Sequence, residues 1–406
     1  MLYLKSFIKT KKETPRGANS TNQALLERGS FIYQVGSGIF AYLPLGWLVY
    51  QKVLQIMREE LEKIDCEEMS LPVLHPSELW KTSGRFSEIG EELFKVDTNK
   101  EAEFVLAMTH EEVITPLAKA KIQSFTDLPF ILNQFSRKIR NEPRPRGGLI
   151  RLRDFNMQDA YSFHASEEQL DKTFDDFART YKKIFERVGL KAVMVEASSG
   201  MMGGKDSREF MVVSAAGEDR IFVCECGKAY NAEVAPENHK CTCGKDLKEE
   251  KGIELAHIFK LRDRYSTKFN LNFTDSKGKS CLVLMGCYGI GLDRLIGAVV
   301  EGSHDEVGII WPKSIAPAQV YLIDLEGSKG QEVYENLEKE GIKVIFDNRK
   351  VSAGIKFSDA DLLGIPYRLV LSEKTLKENK IEIKKRDSKE PILVGVDKIK
   401  SELDNK

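Results

Sequence analysis

An excess of charge of one sign is what this 406-residue chain lacks, since 61 Lys and Arg stand against 62 Asp and Glu for a formal net charge of −1. That balance excludes a globally basic nucleic-acid binder. Any polynucleotide contact must therefore come from local patches, either Lys5, Lys9, Lys11, Lys12 and Arg16 or the stretch Lys374 to Arg386. Each patch reads equally well as a solvated face. Long apolar runs are missing too, and none reaches the length of a membrane span. The start of the chain has no signal-peptide pattern, so the expected location is the cytoplasm, with no membrane partner. What is present fits a large folded protein: 42% hydrophobic residues over this length give a sizeable core and two or three domains.

Cysteine is sparse, but four of the seven are gathered in Cys224-Glu225-Cys226-Gly227 and Cys241-Thr242-Cys243-Gly244, with residues 227–240 between the pairs. Four thiolates satisfy a tetrahedral Zn²⁺, and a glycine after each pair eases the turn that aims both sulfurs inward. A structural zinc site at Cys224, Cys226, Cys241 and Cys243 is the expectation, because four protein ligands leave the metal no open position for chemistry. The spacing within each pair is one residue shorter than the usual Cys-x-x-Cys. Free thiols or redox pairs are the alternatives, disulfides are disfavoured in a reducing compartment, and His239 is a substitute ligand.

Three segments carry chemistry. In Ile139-Arg140-Asn141-Glu142 and Arg151-Leu152-Arg153-Asp154-Phe155, an arginine offers a planar fork for a phosphate, a carboxylate accepts from an amino group, and a phenyl ring gives a stacking face. By itself, Arg140 with Glu142 is also consistent with an exposed ion pair on a strand. The run Gly286-Cys287-Tyr288-Gly289-Ile290-Gly291-Leu292-Asp293-Arg294-Leu295-Ile296 reads as a Gly-rich turn entering an apolar helix, a phosphate loop or a packed turn, but no Lys-Ser or Lys-Thr follows as a P-loop requires. Between Pro44 and Leu74, Leu45, Leu48, Val49, Val53, Met57, Leu61 and Ile64 recur at helical spacing before an extended run broken at Pro72.

In this order the Pro44–Leu74, Arg140–Phe155 and Gly286–Ile296 segments resemble motifs 1, 2 and 3 of the class II aminoacyl-tRNA synthetases. Over nearly its whole length the chain is similar to bacterial-type prolyl-tRNA synthetases. The resemblance is carried by Ser20-Thr21-Asn22-Gln23-Ala24-Leu25-Leu26, Thr109-His110-Glu111-Glu112-Val113-Ile114-Thr115, Pro143-Arg144-Pro145-Arg146-Gly147, Asp159-Ala160-Tyr161-Ser162-Phe163, His257-Ile258-Phe259 and Gly308-Ile309-Ile310-Trp311-Pro312. It implies an α/β (α+β) fold in which an antiparallel sheet is flanked by helices, followed by a small C-terminal α/β anticodon-binding domain. The implied division is residues 1–221 and 253–314 for the catalytic domain, 222–252 for the Cys-rich insertion and 315–406 for the anticodon-binding domain, with Asp347, Arg349, Gly354, Lys356 and Asp361 matching the last.

The resemblance further implies a mechanism. L-proline's carboxylate attacks the α-phosphate of ATP, and the resulting prolyl-adenylate is transferred to proline tRNA without a covalent enzyme intermediate. Arg140 and Arg294 are the implied catalytic residues. Arg140, Glu142, Arg151, Phe155 and Arg294 would bind ATP: Arg140 at the α-phosphate, Glu142 at the adenine amino group, Phe155 and Arg294 on either face of the ring. Thr109, Glu111, Arg140, His257 and Cys287 would bind proline, a carboxylate being suited to the two N–H donors and positive charge of a secondary ammonium. Mg²⁺ would bridge phosphates, and motif 1 implies a homodimer. The large editing domain that many relatives carry between motifs 2 and 3 has no room between Phe210 and His257, which implies a separate deacylase for mischarged tRNA. The family's Asp-Thr-Gly and Ser-His-Glu-Phe are replaced by Ser198-Ser199-Gly200 and Ser207-Arg208-Glu209-Phe210. A non-catalytic paralogue that binds tRNA or regulates, and a ligase that loads a carrier protein, are the competing readings.

Local patterning predicts a helix after Ser166, opened by the capping box Ser-Glu-Glu-Gln, burying Leu170, Phe174, Phe177, Tyr181, Phe185 and Val188 and ended by Gly189. Strands are expected at 266–273 and 280–285. Beyond Pro317, strands 319–325, 342–346 and 367–371 are expected to alternate with helices at 331–340 and ending at 359–363. His110 and His164 are expected to be structural.

Overall fold

The computed structural model describes residues 1–98, 103–197, 206–325, 327 and 329–404. Two compact units divide the chain, one of Gly36–Ile39 with Leu54–Ala298, the other of Met1–Val35, Phe40–Val53 and Val299–Lys406.

The first unit is built on a nine-stranded sheet. Its spatial order is Ser207–Val213, Val193–Glu196, Ala229–Asn231, Asp219–Val223, Lys248–Arg262, Leu284–Gly291, Asp154–His164, Phe130–Ile139 and Cys66–Glu68, with Ser207–Val213 also pairing Lys248–Arg262. The long central pairings are antiparallel. The helix Glu167–Arg187 covers one face, with Leu170, Phe174, Phe177, Tyr181, Phe185 and Val188 each at most 1% exposed. Five or six such side chains, each worth about 1.5–3 kcal/mol when fully buried, hold this helix far more firmly than propensity would. Phe177 stacks on Tyr288 of the sheet at 3.7 Å between centroids. Half of the expected capping box forms: Ser166 accepts from the Gln169 amide, but the Gln169 side chain reaches back to the Ala165 N–H, one residue before the cap. Gly189, at φ +88°, takes the left-handed turn that ends the helix.

Two local expectations are corrected. The 266–273 strand is a helix, Arg264–Phe269, closed by Asn270 at φ +52°, and only Asn272–Thr274 is extended. Tyr265 and Phe269 lie four apart on the buried face of that turn, a spacing that an apolar run this short leaves open. The Gly-rich run is likewise a strand, Leu284–Gly291, entering the helix Leu292–Gly302 directly. Its glycines answer crowding rather than turning: a Cβ on Gly286 would meet the Tyr288 hydroxyl at 2.2 Å, and one on Gly289 would meet Met157 Cε at 2.5 Å. The motif 1 helix forms as Pro44–Glu62, with Leu45, Val49, Val53, Met57 and Leu61 buried and Leu48 half-buried.

The second unit contains a five-stranded sheet in the order Val344–Asp347, Val320–Asp324, Tyr367–Leu371, Lys380–Lys385, Ile392–Gly395, parallel across the first three and antiparallel beyond. Helices Gly330–Lys339 and Ala353–Leu363 supply the parallel crossovers. The N-terminal residues join this unit. The Met1 ammonium donates to Val344 O at 2.6 Å and Tyr334 Oη at 2.8 Å, and the Arg349 guanidinium lies 3.6 Å over the Tyr3 ring. Three of the six basic residues in Lys374–Arg386 are paired: Arg386 forks onto Asp305 at 2.6 and 2.7 Å, Lys377 meets Glu373 at 2.8 Å, and Lys380 meets Glu378 at 2.9 Å. Among the described residues, no helix is long and apolar enough to cross a membrane.

Candidate active site

Strand alternation sets the site. Along Phe130–Ile139 and onward to Arg140, and along Asp154–His164, every second side chain faces the same way, so Arg140, Phe155, Met157, Asp159 and Tyr161 reach one side of the sheet. There they line a cleft of about 550 Å³. Every residue the sequence offered for ATP or proline lines it as well: Arg140, Glu142, Arg151, Phe155, Arg294, Thr109, Glu111, His257 and Cys287.

One group in the cleft is built on Arg140 and Arg294. Arg140 is positioned by Met108 O, 3.3 Å from Nη2 and 3.4 Å from Nε, with its guanidinium 5.1 Å over the Phe155 ring. Arg294 donates from Nε to Ile150 O at 2.9 Å and from Nη1 to Glu254 O at 2.9 Å and Oε2 at 3.1 Å. Burial, then the nearby Arg294 charge, lower the Arg140 pKa, a strain that an anion between the two would relieve. Glu142 accepts from Arg151 Nε at 2.8 Å and from the Arg144 amide at 3.0 Å. Burial works against its ionisation, but these contacts outweigh it and its pKa falls. Asp293, in the first turn of the following helix, accepts the Asn156 amide and ties that helix to the strand.

A second group is built on Glu111. Glu111 is fully buried, accepts from the Thr109 hydroxyl and from Cys287 Sγ at 3.2 Å, and lies 3.5 Å from Arg85 Nη1. Arg85 also donates to Glu112 at 3.0 and 3.3 Å. Two carboxyl groups thus share one guanidinium; burial pushes the Glu112 pKa up against the Arg85 charge, and Glu111 is the one that lines the cleft. The Cys287 thiol is pushed well up by burial and then by Glu111, which makes it a packing and hydrogen-bonding group instead of a nucleophile.

His257 opens a third cluster. Its Nε2 pairs with Ser207 Oγ at 2.6 Å, and its Nδ1 lies 3.4 Å from Glu254 and 3.6 Å from Glu209. Burial resists ionisation of Glu254, but His257 and Arg294 hold it down to about 2; burial and then the Glu254 charge push Glu209 up to about 7. The sequence reading missed Glu209, Glu254 and Arg85. For Glu254 a signal existed, a lone carboxylate in the apolar run Ile253-Glu254-Leu255-Ala256. Arg85 had none, because its partners lie 26 and 27 residues away. Of the flagged departures, Ser198–Gly200 lie outside the described residues. Arg208 packs 5.2 Å over Phe174 and 3.8 Å from Asp175.

Outside the cleft, the four cysteines converge. Cys224 Sγ is 3.5 Å from Cys243 Sγ, Cys226 Sγ is 3.6 Å from Cys241 Sγ, and all four lie within 4.8 Å of one another. Zn–S bonds of about 2.3 Å in a tetrahedron place sulfurs about 3.8 Å apart, so the donor set fits the ion. Gly227 and Gly244, at φ +90° and +87°, make the two turns. His239 lies tilted against Phe222 at 4.8 Å between ring centroids and is not among the four converging residues. The cysteine segment is a continuation of the main sheet, since Lys248–Arg262 runs from it through Glu254 and His257.

Residues 94–303 fit the tRNA synthetase class II core domain (G, H, P, S and T), and residues 319–406 fit the anticodon binding domain. The proline–tRNA ligase of Sulfurimonas denitrificans is 39% identical over 418 aligned positions, covering 96% of each chain. That of Dehalococcoides mccartyi strain CBDB1 is 34% identical over 555 positions and 98% of each, so it carries sequence with no counterpart among these 406 residues. The Giardia lamblia prolyl-tRNA synthetase solved with prolyl-adenylate shares the fold at a TM-score of 0.80 and 20% identity, over 95% of this chain and 78% of that one. The Cryptosporidium parvum enzyme solved with L-proline and AMP gives 0.78 and 19%, over 94% and 73%.

Proposed function

This chain belongs to the proline–tRNA ligases of the class II synthetases, and from that premise we propose that its cleft activates L-proline with ATP and passes the prolyl group to proline tRNA. The observation that carries the proposal is that one cleft brings two arginines and a phenyl face together with a buried glutamate held by Thr109 and Cys287. A triphosphate fits the first and a secondary ammonium the second. Held between them, the proline carboxylate is presented to the α-phosphate, and catalysis rests on orientation and on Arg140 and Arg294 stabilising the charge that develops there. Phe155 and Glu142 take the adenine, with Arg151 orienting Glu142. Thr109 and Glu111 receive the amine, and His257 and Cys287 shape the pocket wall.

Mg²⁺ suits the Glu209, Glu254 and His257 group, where carboxylate oxygens would hold a hard cation beside the phosphates and supply further charge neutralisation. Residues 1–221 and 253–314 carry activation, residues 315–406 read the anticodon, and residues 222–252 hold zinc. Metal analysis of protein purified without added zinc is expected to give about one zinc per chain, as a closed four-thiolate site holds its ion tightly. A stoichiometry near zero with all thiols freely titratable defeats the assignment. Exposed Tyr33, Val35 and Trp47, at 57, 65 and 46%, suit burial by a second copy of the chain, and sedimentation would report a dimer.

The direct test is formation of labelled prolyl-tRNA from proline, ATP and full-length proline tRNA. Alanine, lacking only ring carbons, is rejected by lost contacts worth roughly 1–3 kcal/mol per methylene, so measurable alanine activation is expected. Without an editing module, alanyl-tRNA bearing the proline anticodon should persist until a separate deacylase removes it. Rapid deacylation by the purified protein refutes that part.

A further inference from the structure

Two residues before Arg140, Lys138 sends its ammonium into the protein, and the residue is 1% exposed. Three acceptors surround Nζ: Asp159 Oδ1 at 2.7 Å, Ser136 Oγ at 2.6 Å and His110 Nδ1 at 2.7 Å. A buried ion pair is a weak device for stability, because desolvating two charges offsets much of their attraction. The third acceptor gives this one another role. On its other side the His110 ring meets Pro72 O, 3.1 Å from Nε2. A carbonyl oxygen only accepts, so the ring proton sits on Nε2, and Nδ1 presents a lone pair that the Lys138 ammonium fills. A second ring proton would point at that ammonium. Burial first and the Lys138 charge next hold His110 at a pKa of about 3. His75 lies edge-on at 4.8 Å, its Nε2 on the same Pro72 carbonyl at 2.9 Å and its Nδ1 accepting from Trp80 at 3.2 Å; the Asp159 carboxylate lies 3.8 Å from His110 Nδ1.

The backbone of His110 ends on the same pair. Its N–H donates to Tyr161 Oη at 3.2 Å, the Tyr161 hydroxyl donates to Asp159 Oδ2 at 2.8 Å, and Asp159 Oδ1 accepts from Lys138. Ring and amide of one residue are therefore fixed by one ion pair, and that residue lies between Thr109 and Glu111 at the start of the helix Glu111–Lys119. We propose that Lys138 is a positioning residue for proline's amine: through a neutral His110 it fixes the Thr109 and Glu111 side chains. This rests on the assignment of Thr109 and Glu111 to the amine.

The test compares Asp159→Asn, which keeps the Lys138 to His110 contact, with the Lys138→Met/Asp159→Asn double variant, which strands no charge. In proline-dependent ATP–pyrophosphate exchange the double variant is expected to have a KM for proline about tenfold or more above that of Asp159→Asn, with the KM for ATP within about twofold, since misplacing a binding group by even 1 Å is costly. A proline KM that does not differ between the two proteins overturns the proposal when Glu111→Gln still raises it. If Glu111→Gln leaves it unchanged, the amine assignment fails and the proposal with it. Should the double variant not fold, the unmutated protein decides. Imidazole NMR with labelled histidine is expected to show His110 as the neutral Nε2–H tautomer between about pH 5 and 8. An Nδ1–H tautomer or a protonated ring at neutral pH overturns the inference.

Discussion

Arg140→Ala is expected to lower proline-dependent ATP–pyrophosphate exchange by about 10²–10³-fold in kcat, the loss typical of removing one preorganised donor from a centre where negative charge develops. The guanidinium has little else to do. Its protein contacts are one carbonyl, Met108 O, at 3.3 and 3.4 Å and the face of Phe155. Removing it should leave the fold intact, and thermal unfolding close to that of the parent would show as much. Arg140→Lys keeps the charge but loses the planar fork, so only partial recovery is expected. A folded Arg140→Ala protein with exchange within about threefold of the parent would remove this residue from the reaction.

Glu111→Gln should be of similar size but fall on the other substrate. Glu111 and Glu112 share one counter-ion, Arg85, and the Glu111 carboxylate is also held by the Thr109 hydroxyl and the Cys287 thiol. A secondary ammonium completes that arrangement. A carboxamide has nearly the same shape but brings no charge and an N–H₂ that points donor against donor. Losing a buried charge-assisted pair costs about 3–5 kcal/mol, so kcat/KM for proline should fall about 10²–10⁴-fold while the KM for ATP stays within about twofold. An equal rise in both KM values would mean a general collapse of the cleft. No change in either would move the amine elsewhere.

Where the local pattern was strong, the sequence was readable. The helix Glu167–Arg187 shows its buried face at every third or fourth residue, and Tyr367–Leu371 forms at the residues expected. The nine residues offered for ATP and proline share one cleft because strand alternation carries Arg140 and Phe155 to the same side. Short apolar runs were ambiguous, as at Arg264–Phe269, and the glycines of Leu284–Gly291 gave no sign that they make room for Tyr288 and Met157. Long-range pairing was invisible. Arg85 reaches Glu111 and Glu112 from a four-residue helix, and Met1 donates to Val344 across most of the chain. Lys138 looks in the sequence like any strand lysine, and only the convergence of His110, Ser136 and Asp159 on its ammonium sets it apart.

The most direct measurement is ATP–pyrophosphate exchange by the purified protein with proline, alanine, cysteine, threonine or serine supplied one at a time. Exchange driven by proline, with a lesser signal from alanine, is the expected result, because the cleft joins two arginines suited to a triphosphate with a buried carboxylate that suits a secondary ammonium. No exchange with any of the five, from folded and zinc-replete protein, would contradict the assignment of this cleft to amino-acid activation.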